Sequence, residues 1–427
     1  MNPAPRTLAD WLAFQQRQHP RSIELGLTRV AAVAGTLGLL RPACPVITVA
    51  GTNGKGSTAT ALAALMHAMG LRTGLFTSPH LLRYTERIRI DGVEIATAPL
   101  LAAFEAIEAA RGDATLTFFE YSTLAALWCF RDAGCGALVL EVGLGGRLDA
   151  TNIIDADVAV LCSVGMDHMD WLGDTLDAIG AEKAGIFRAG RPVVLGTPEL
   201  PGSVWRRIQE LGCDPHTAGR EFDWRIAPDG RWDYFSSACR LGALPAPALP
   251  GAIQYRNVAT AIAALQCLPA PQRPAAHCDA AAIGRAVSTL SLPGRLQRVA
   301  RRAQWLLDVA HNAAAAAVLA AELRVLPAAR RTFAVFGALA DKDVAAVSHQ
   351  LDGLIDHWIF CTLTEERGLD AGTLATRCGE FTGTRESADS VAAGCARAEA
   401  LAHAGDRVLV FGSFHTVGPA LAWLGLY

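Results

Sequence analysis

Between Val46 and Thr60 the chain reads VITVAGTNGKGSTAT, in which Gly51, Gly54, Lys55, Gly56 and Ser57 have the types and closeness that phosphate oxygens require. A glycine-rich turn between a strand and a helix gathers backbone N–H groups and the positive end of the helix at one spot, and Lys55 adds a point charge for β- and γ-phosphates. The spacing is not the common one. In G-x-x-x-x-G-K-[ST] the first glycine would fall at Val49 and the hydroxyl at Gly56; here the leading glycine is Gly51 and the hydroxyl comes one place later, at Ser57. Three more polar residues follow short apolar runs: Ser78 in TSPHL, Glu141 at the end of GALVLEV, and His168 in GMDHMDWLG. A hydroxyl, a carboxylate and an imidazole beside phosphates could complete the shell of one or two Mg²⁺ ions, since magnesium takes few protein ligands and fills the rest with water and phosphate oxygens.

The elements that must position these groups alternate strand and helix. Strands are expected at Val46–Ala50, Gly74–Thr77, Ala137–Val142 and Asp157–Val164, and a helix over Ser57–Met69 with Leu62, Leu65, Met66 and Met69 on one face, closed by Gly70. Such alternation implies a mostly parallel sheet with helices on both faces. Ligands of open α/β sheets sit beyond the carboxyl ends of the strands, so Ser78, Glu141 and His168 should project to the edge that carries the phosphate loop. Asp214–Leu249 has little helical period and reads as a small antiparallel insertion or a long excursion, followed by a helix through Asn257–Cys267. After the Pro-rich stretch 270–276 and the break at Ser291–Arg295 the alternation restarts, with strands near Trp305–Asp308, Thr332–Gly337, His357–Thr362 and Arg407–Gly412. A boundary near Pro293–Gly294 divides the chain into a first domain, 1–293, and a second, 294–427, of about 130 residues.

Composition agrees with this. A chain of 427 residues with 51% hydrophobic and 19% charged side chains is a soluble globular protein of two domains, or three. A net charge of −3 argues against a nucleic-acid partner, which needs clustered Lys and Arg. Eleven cysteines without a C-x-x-C pair indicate neither zinc nor redox chemistry. The segment MNPAPRTLADWLAFQQRQHP is not a signal peptide and no stretch is apolar enough to span a membrane, so the cytoplasm is the default compartment.

The stretches AGTNGKGS, TSPHL, EVGLGGRLDATN, GMDHMDWLG and AEKAGIFR, in this order, followed by PGRLQ, DVAHN, FGALADKDV and FGSFHTVG, resemble the folylpolyglutamate synthase / dihydrofolate synthase family, a branch of the ATP-dependent Mur ligase superfamily. The resemblance covers nearly the whole chain. It implies an α/β fold: a P-loop-containing, mostly parallel-sheet ATP-binding domain, then a smaller doubly wound domain of the Mur ligase C-terminal type. By position it assigns Gly51, Thr52, Asn53, Gly54, Lys55 and Gly56 to the nucleotide, Ser57 to phosphate or metal, and Ser78, Glu141 and His168 to magnesium, with two metal sites. Lys55, His168 and Lys183 become the catalytic set, Lys183 being the lysine carbamylated in relatives. Asn257 and Arg295 match residues on adenine and phosphate, Asp308 the ribose-binding acid, and His311 shares its DVAHN motif. On the pteroate side IELGLTRV gives Glu24, Gly26 and Leu27, TSPHL gives Pro79 and His80, and FFEYSTLAA with RLDATN gives Phe118, Glu120, Asp149 and Asn152. Four positions depart from the family pattern: Glu24 stands for Asp, Val309 for Gly, Ala313 for Pro and His415 for Tyr.

The implied activity joins L-glutamate to 7,8-dihydropteroate, and to reduced folates, at the expense of ATP through an acyl phosphate, in a monomer. Extension of folates alone is the alternative. Less favoured rivals are a P-loop kinase, which leaves the second domain and DVAHN unused, a nucleotide-gated binding switch without turnover, and a cell-wall ligase acting on a UDP-linked peptide.

Overall fold

The computed structural model describes residues 6–21, 23–270 and 272–427; the first five residues of the N-terminal segment and Pro271 of the Pro-rich stretch lie outside them. Short apolar strands without alternation, such as VITVA, are buried along their whole length, as a sheet covered on both faces requires. In the first sheet these are β1 (Val46–Ala50), β2 (Thr73–Phe76), β3 (Ile88–Ile90), β4 (Val93–Glu94), β5 (Ala137–Glu141), β6 (Val158–Leu161), β7 (Pro192–Leu195) and β8 (Asp214–Thr217). They run in the order β4-β3-β2-β5-β1-β6-β7-β8, parallel except for the β3–β4 edge. The chain passes from β5 to β6 across β1, so the carboxyl ends of these three strands open a crevice at the point where the order reverses.

One face of this sheet carries the alanine-rich helices Lys55–Ala68, Ile253–Gln266 and Ala280–Ser288 in a shared core; Trp11, Phe104, Tyr121 and Phe130 fill the other. The stretch expected to be an excursion first supplies β8 to the parallel sheet. It then makes an antiparallel sheet of β9 (Phe222–Ile226), β10 (Trp232–Ser236) and β11 (Arg240–Leu244), whose Trp232 and Tyr234 are buried in the first core.

The third sheet, in the second domain, contains β12 (Gln297–Ala300), β13 (Gln304–Leu307), β14 (Thr332–Phe336), β15 (His357–Cys361), β16 (Thr384–Ala388) and β17 (Arg407–Phe411), in the order β12-β13-β17-β14-β15-β16. Only the β12–β13 pair is antiparallel. Apolar clusters cover both of its faces. One member comes from the first domain: Leu81 packs into the cluster of Val309, Val417 and Leu421, and its carbonyl oxygen lies so close to Gly418 that a Cβ there would meet it at 2.4 Å. The eleven cysteines are all free, and no helix among the described residues is long and apolar enough to cross a membrane.

Candidate active site

The loop after β1 is held by the protein's own hydrogen bonds. Thr52 Oγ1 donates to the Gly165 carbonyl at 3.1 Å, and the Asn53 amide donates to Ser163 Oγ at 3.0 Å, which clamps the loop to the segment after β6. Gly54 caps the helix Lys55–Ala68 at φ 88°, and a Cβ there would stand 2.9 Å from Asn257 Oδ1, so the position needs glycine on both counts. The Lys55 ammonium folds back on the loop, donating to the Gly51 and Thr52 carbonyls at 2.8 and 3.2 Å. These groups line a cavity of about 390 Å³ together with Ser57, Ser78, Glu141, His168, Lys183, Asn257, Arg295, Asp308 and His311. All the residues assigned to nucleotide and metal thus face one space.

Glu141, at the end of β5, is buried, and burial pushes its carboxyl above the ordinary range against the pull of Lys55, the Ser78 amide and Arg295. Its Oε2 accepts the Ser78 N–H at 3.0 Å, while Oε1 faces Gly56, where a Cβ would lie 3.6 Å away. A buried carboxylate with one oxygen uncommitted fits a cation. No three His, Cys, Asp or Glu side chains converge as a metal cluster among the described residues. The donors are one carboxylate, the hydroxyls of Ser57 and Ser78, and one imidazole, a sparse set of the kind magnesium completes with phosphate and water. His168 stands in the left-handed region at φ 52°, and burial, then the neighbouring Lys342, lowers its pKa to about 4, so the ring is neutral and can ligate.

Lys183 closes the helix Leu176–Lys183 and is 4% exposed, which excludes an ordinary surface lysine. Its ammonium reaches the Gly51 carbonyl at 3.2 Å, and burial, then Lys55, lowers its pKa to about 7. From the second domain, Arg295 is half-buried and lies over the Phe414 ring at 5.3 Å. Both oxygens of Asp308 accept backbone amides, from Leu296 and Ala310 at 2.8 Å each, so this acid builds the interdomain turn as well as lining the cavity.

A second cavity of about 290 Å³ adjoins the first, and the two share Ser78, Pro79, His168, His311 and Phe414. Glu24, Gly26, Pro79, Glu120 and Asp149 line it, as does His415. Arg29 holds two of these acids, pairing with Glu24 and, at 3.2 Å, with Glu120. Four predicted residues lie outside its lining. Leu27 caps the helix Thr28–Thr36, and Phe118 packs edge-on against Tyr84, its neighbour Phe119 lining the cavity instead. His80 accepts from Arg87 Nε at 2.7 Å, and Asn152 donates to the Arg147 and Gly185 carbonyls at 2.9 and 3.2 Å. Asp149 does line the cavity, yet its oxygens accept from the amides of Gly143, Leu144 and Thr151, so it shapes the wall.

Sequence reasoning passed over Arg87, Asp167, Asn312 and Lys342. Arg87 is buried and lines the second cavity. Asp167 receives Lys342 at 2.6 Å, Asn312 at 3.1 Å and His311 at 3.4 Å, all from the second domain. Burial opposes its charge, but the His311 hydrogen bond and the Lys342 ammonium hold its carboxyl well below the usual range. Each of the three missed polar residues at this junction lay inside a quoted motif (GMDHMDWLG, DVAHN, FGALADKDV), which was the available signal.

Comparison with known proteins agrees with this arrangement. Residues 49–195 match the Mur ligase middle domain and residues 294–414 the Mur ligase glutamate ligase domain. The dihydrofolate synthase/folylpolyglutamate synthase of Escherichia coli (strain K12) is 44% identical over 414 residues, covering 97% of this chain and 94% of that protein. The structure of E. coli FolC in complex with DHPP and ADP superposes with a TM-score of 0.92 at 42% identity, covering 100% of this chain and 99% of that one. A bifunctional folylpolyglutamate synthase/dihydrofolate synthase with Mn, AMPPNP and L-glutamate bound gives 0.89 at 42% identity over the whole of both chains. With its two α/β domains, its phosphate loop and a full-length likeness of this strength, the chain belongs to the dihydrofolate synthase/folylpolyglutamate synthase family of Mur ligases.

Proposed function

We propose that this protein is an ATP-dependent ligase that joins L-glutamate to 7,8-dihydropteroate, forming dihydrofolate, and adds further γ-linked glutamates to reduced folates. The observation that carries this reading is the meeting of the two cavities at Ser78, His168 and His311, where a γ-phosphate in the first would confront a carboxylate in the second. The γ-phosphoryl group moves to the substrate's carboxylate oxygen and ADP departs, leaving an acyl phosphate. The amine of glutamate attacks the carbonyl carbon, the tetrahedral intermediate expels phosphate, and the amine gives up a proton. Lys55 and the loop amides neutralise charge on the transferring group; a divalent cation held by Ser57, Ser78, Glu141 and His168, at one site or two, would supply further charge and orientation. Water would destroy the acyl phosphate, which gives the two domains a reason to close over it.

Lys183 serves as a carbamate in this scheme, an anion made from a buried amine that loses its proton near neutral pH. Further proposals are a division of domains at 293/294, action as a monomer, and a cytoplasmic location. The test is incubation with Mg-ATP, labelled glutamate and either dihydropteroate or tetrahydrofolate, with products read by mass. Product with both acceptors supports both activities, product with tetrahydrofolate alone reduces the protein to a folylpolyglutamate synthase, and none with either defeats the assignment.

A further inference from the structure

We propose that Asn312 is a positioning residue that couples occupancy of the phosphate loop to closure of the second domain, acting through Asn53 and Asp167. Asn312 lines neither cavity and is 5% exposed. Its amide makes every hydrogen bond an amide can make without bifurcation. Oδ1 accepts from Asn53 Nδ2 and from the Ala315 amide, each at 3.0 Å; Nδ2 donates to Asn53 Oδ1 at 3.0 Å and to Asp167 Oδ2 at 3.1 Å. The pair with Asn53 is reciprocal, so it fixes the orientation of both amides and needs an amide on each side. Asn53 is gripped from the other direction by Ser163, which accepts its N–H and donates to its carbonyl at 2.9 Å. Asp167 sits beside His168 and takes Lys342 on its second oxygen.

Opening the cleft would therefore break three things together: the hold on the phosphate loop, the pairing of a buried carboxylate, and the contact of Lys342. These bonds form only when the cleft is closed and the loop holds Asn53 in place, so the loop conformation and the closed cleft favour one another. Coupling of this kind is reciprocal, and a ligand that orders the loop gains affinity from closure. A plain structural role is also available, because Asn312 caps the helix Ala313–Val325. That role needs only Oδ1, and an aspartate fills it equally well. The two roles separate in Asn312→Asp, which keeps the cap, removes the donor and sets a carboxylate against Asp167.

The proposal rests on nucleotide binding at the phosphate loop, so Mg-ADP is titrated by calorimetry into the full-length protein and its variants. Wild-type protein that binds no ADP overturns the functional reading itself. Given wild-type binding, Asn312→Asp is expected to weaken ADP about tenfold, within the usual range of coupling between sites, while its melting temperature stays near that of the wild type. The exchange Asn312→Asp with Asp167→Asn removes the repulsion between two carboxylates but still leaves Asn53 Oδ1 without its donor, so ADP should stay weakened in it as well. Asn312→Ser, a smaller cap that lacks the amide group facing Asn53 and Asp167, gives the same comparison should the aspartate variant not fold. Unchanged ADP affinity in a folded Asn312 variant, or full recovery in the exchange, overturns the coupling.

Discussion

Lys55 and Lys183 converge on one acceptor: both ammonium groups reach the Gly51 carbonyl oxygen, at 2.8 and 3.2 Å. Burial and this second cation bring the Lys183 amine to a pKa of about 7, so a large share of it is neutral at physiological pH, which is the form that adds CO₂. With ¹³C-labelled bicarbonate the wild type should show a carbamate carbon signal that Lys183→Met lacks. Lys183→Ala should lose activity by about a hundredfold or more, the scale of removing one preorganised charge from such a site. Full activity in that variant would remove the carbamate from the mechanism.

In CO₂-free buffer the same lysine gives stability a pH slope of definite sign. Its ordinary pKa is 10.5 and its folded value about 7, so between them the unfolded chain binds more protons and stability rises with pH. Below about 7 the folded protein must bury an ammonium and bears the full cost. Melting temperatures of wild type and Lys183→Met across this window should differ in slope, the variant being flatter. Parallel curves would show that the lysine does not titrate there.

Glu141→Gln preserves an acceptor for the Ser78 amide and a nearly unchanged shape while removing the anion that faces the loop. Its fold should be kept, and it should be at least as stable, because burial already disfavours the charged form. Ligase turnover should fall by about a hundredfold, and Mn²⁺ should bind the nucleotide complex more weakly by electron paramagnetic resonance. Retained Mn²⁺ affinity would move the metal away from this carboxylate.

Gly418→Ala places a methyl group 2.4 Å from the Leu81 carbonyl, a distance at which backbone must shift. The expected cost is about 1–3 kcal/mol, the usual range for overpacking. Because the contact joins the two domains, the variant should also raise the KM for glutamate and weaken ADP binding. Loss of stability with unaltered kinetics would make the contact a matter of packing alone.

The parts of this site that local rules govern were legible in the sequence. A strand end fixes which edge of the sheet its last residue and the loop after it occupy, which is why Glu141 at the end of β5, and Ser78 and His168 on the loops after β2 and β6, were legible as neighbours of the loop at Gly51–Ser57. The choice of Phe118 over Phe119 could not be made so: both start the helix Phe118–Asp132, and which ring faces the cavity depends on how that helix packs. Asp149 and Asn152 are polar residues in a suggestive motif, but neighbouring backbone groups use most of their hydrogen-bonding capacity, an accounting visible only in three dimensions. The pairing of Asp167 with Lys342 spans 175 residues, and no spacing rule reaches that far. The strands β3, β4, β7, β12 and β16 were missed because they are short or carry too few apolar side chains to stand out.

Leu81 is carried by the first half of the chain yet completes the apolar core of the second. Chimaeras between relatives should therefore not be spliced at Pro293 alone: a transplanted C-terminal half would arrive with a hole where a foreign side chain belongs, and with a bare glycine strip at Gly418 shaped for a backbone it left behind. The heritable unit for that half includes the TSPHLL loop, and successful swaps should keep the two together.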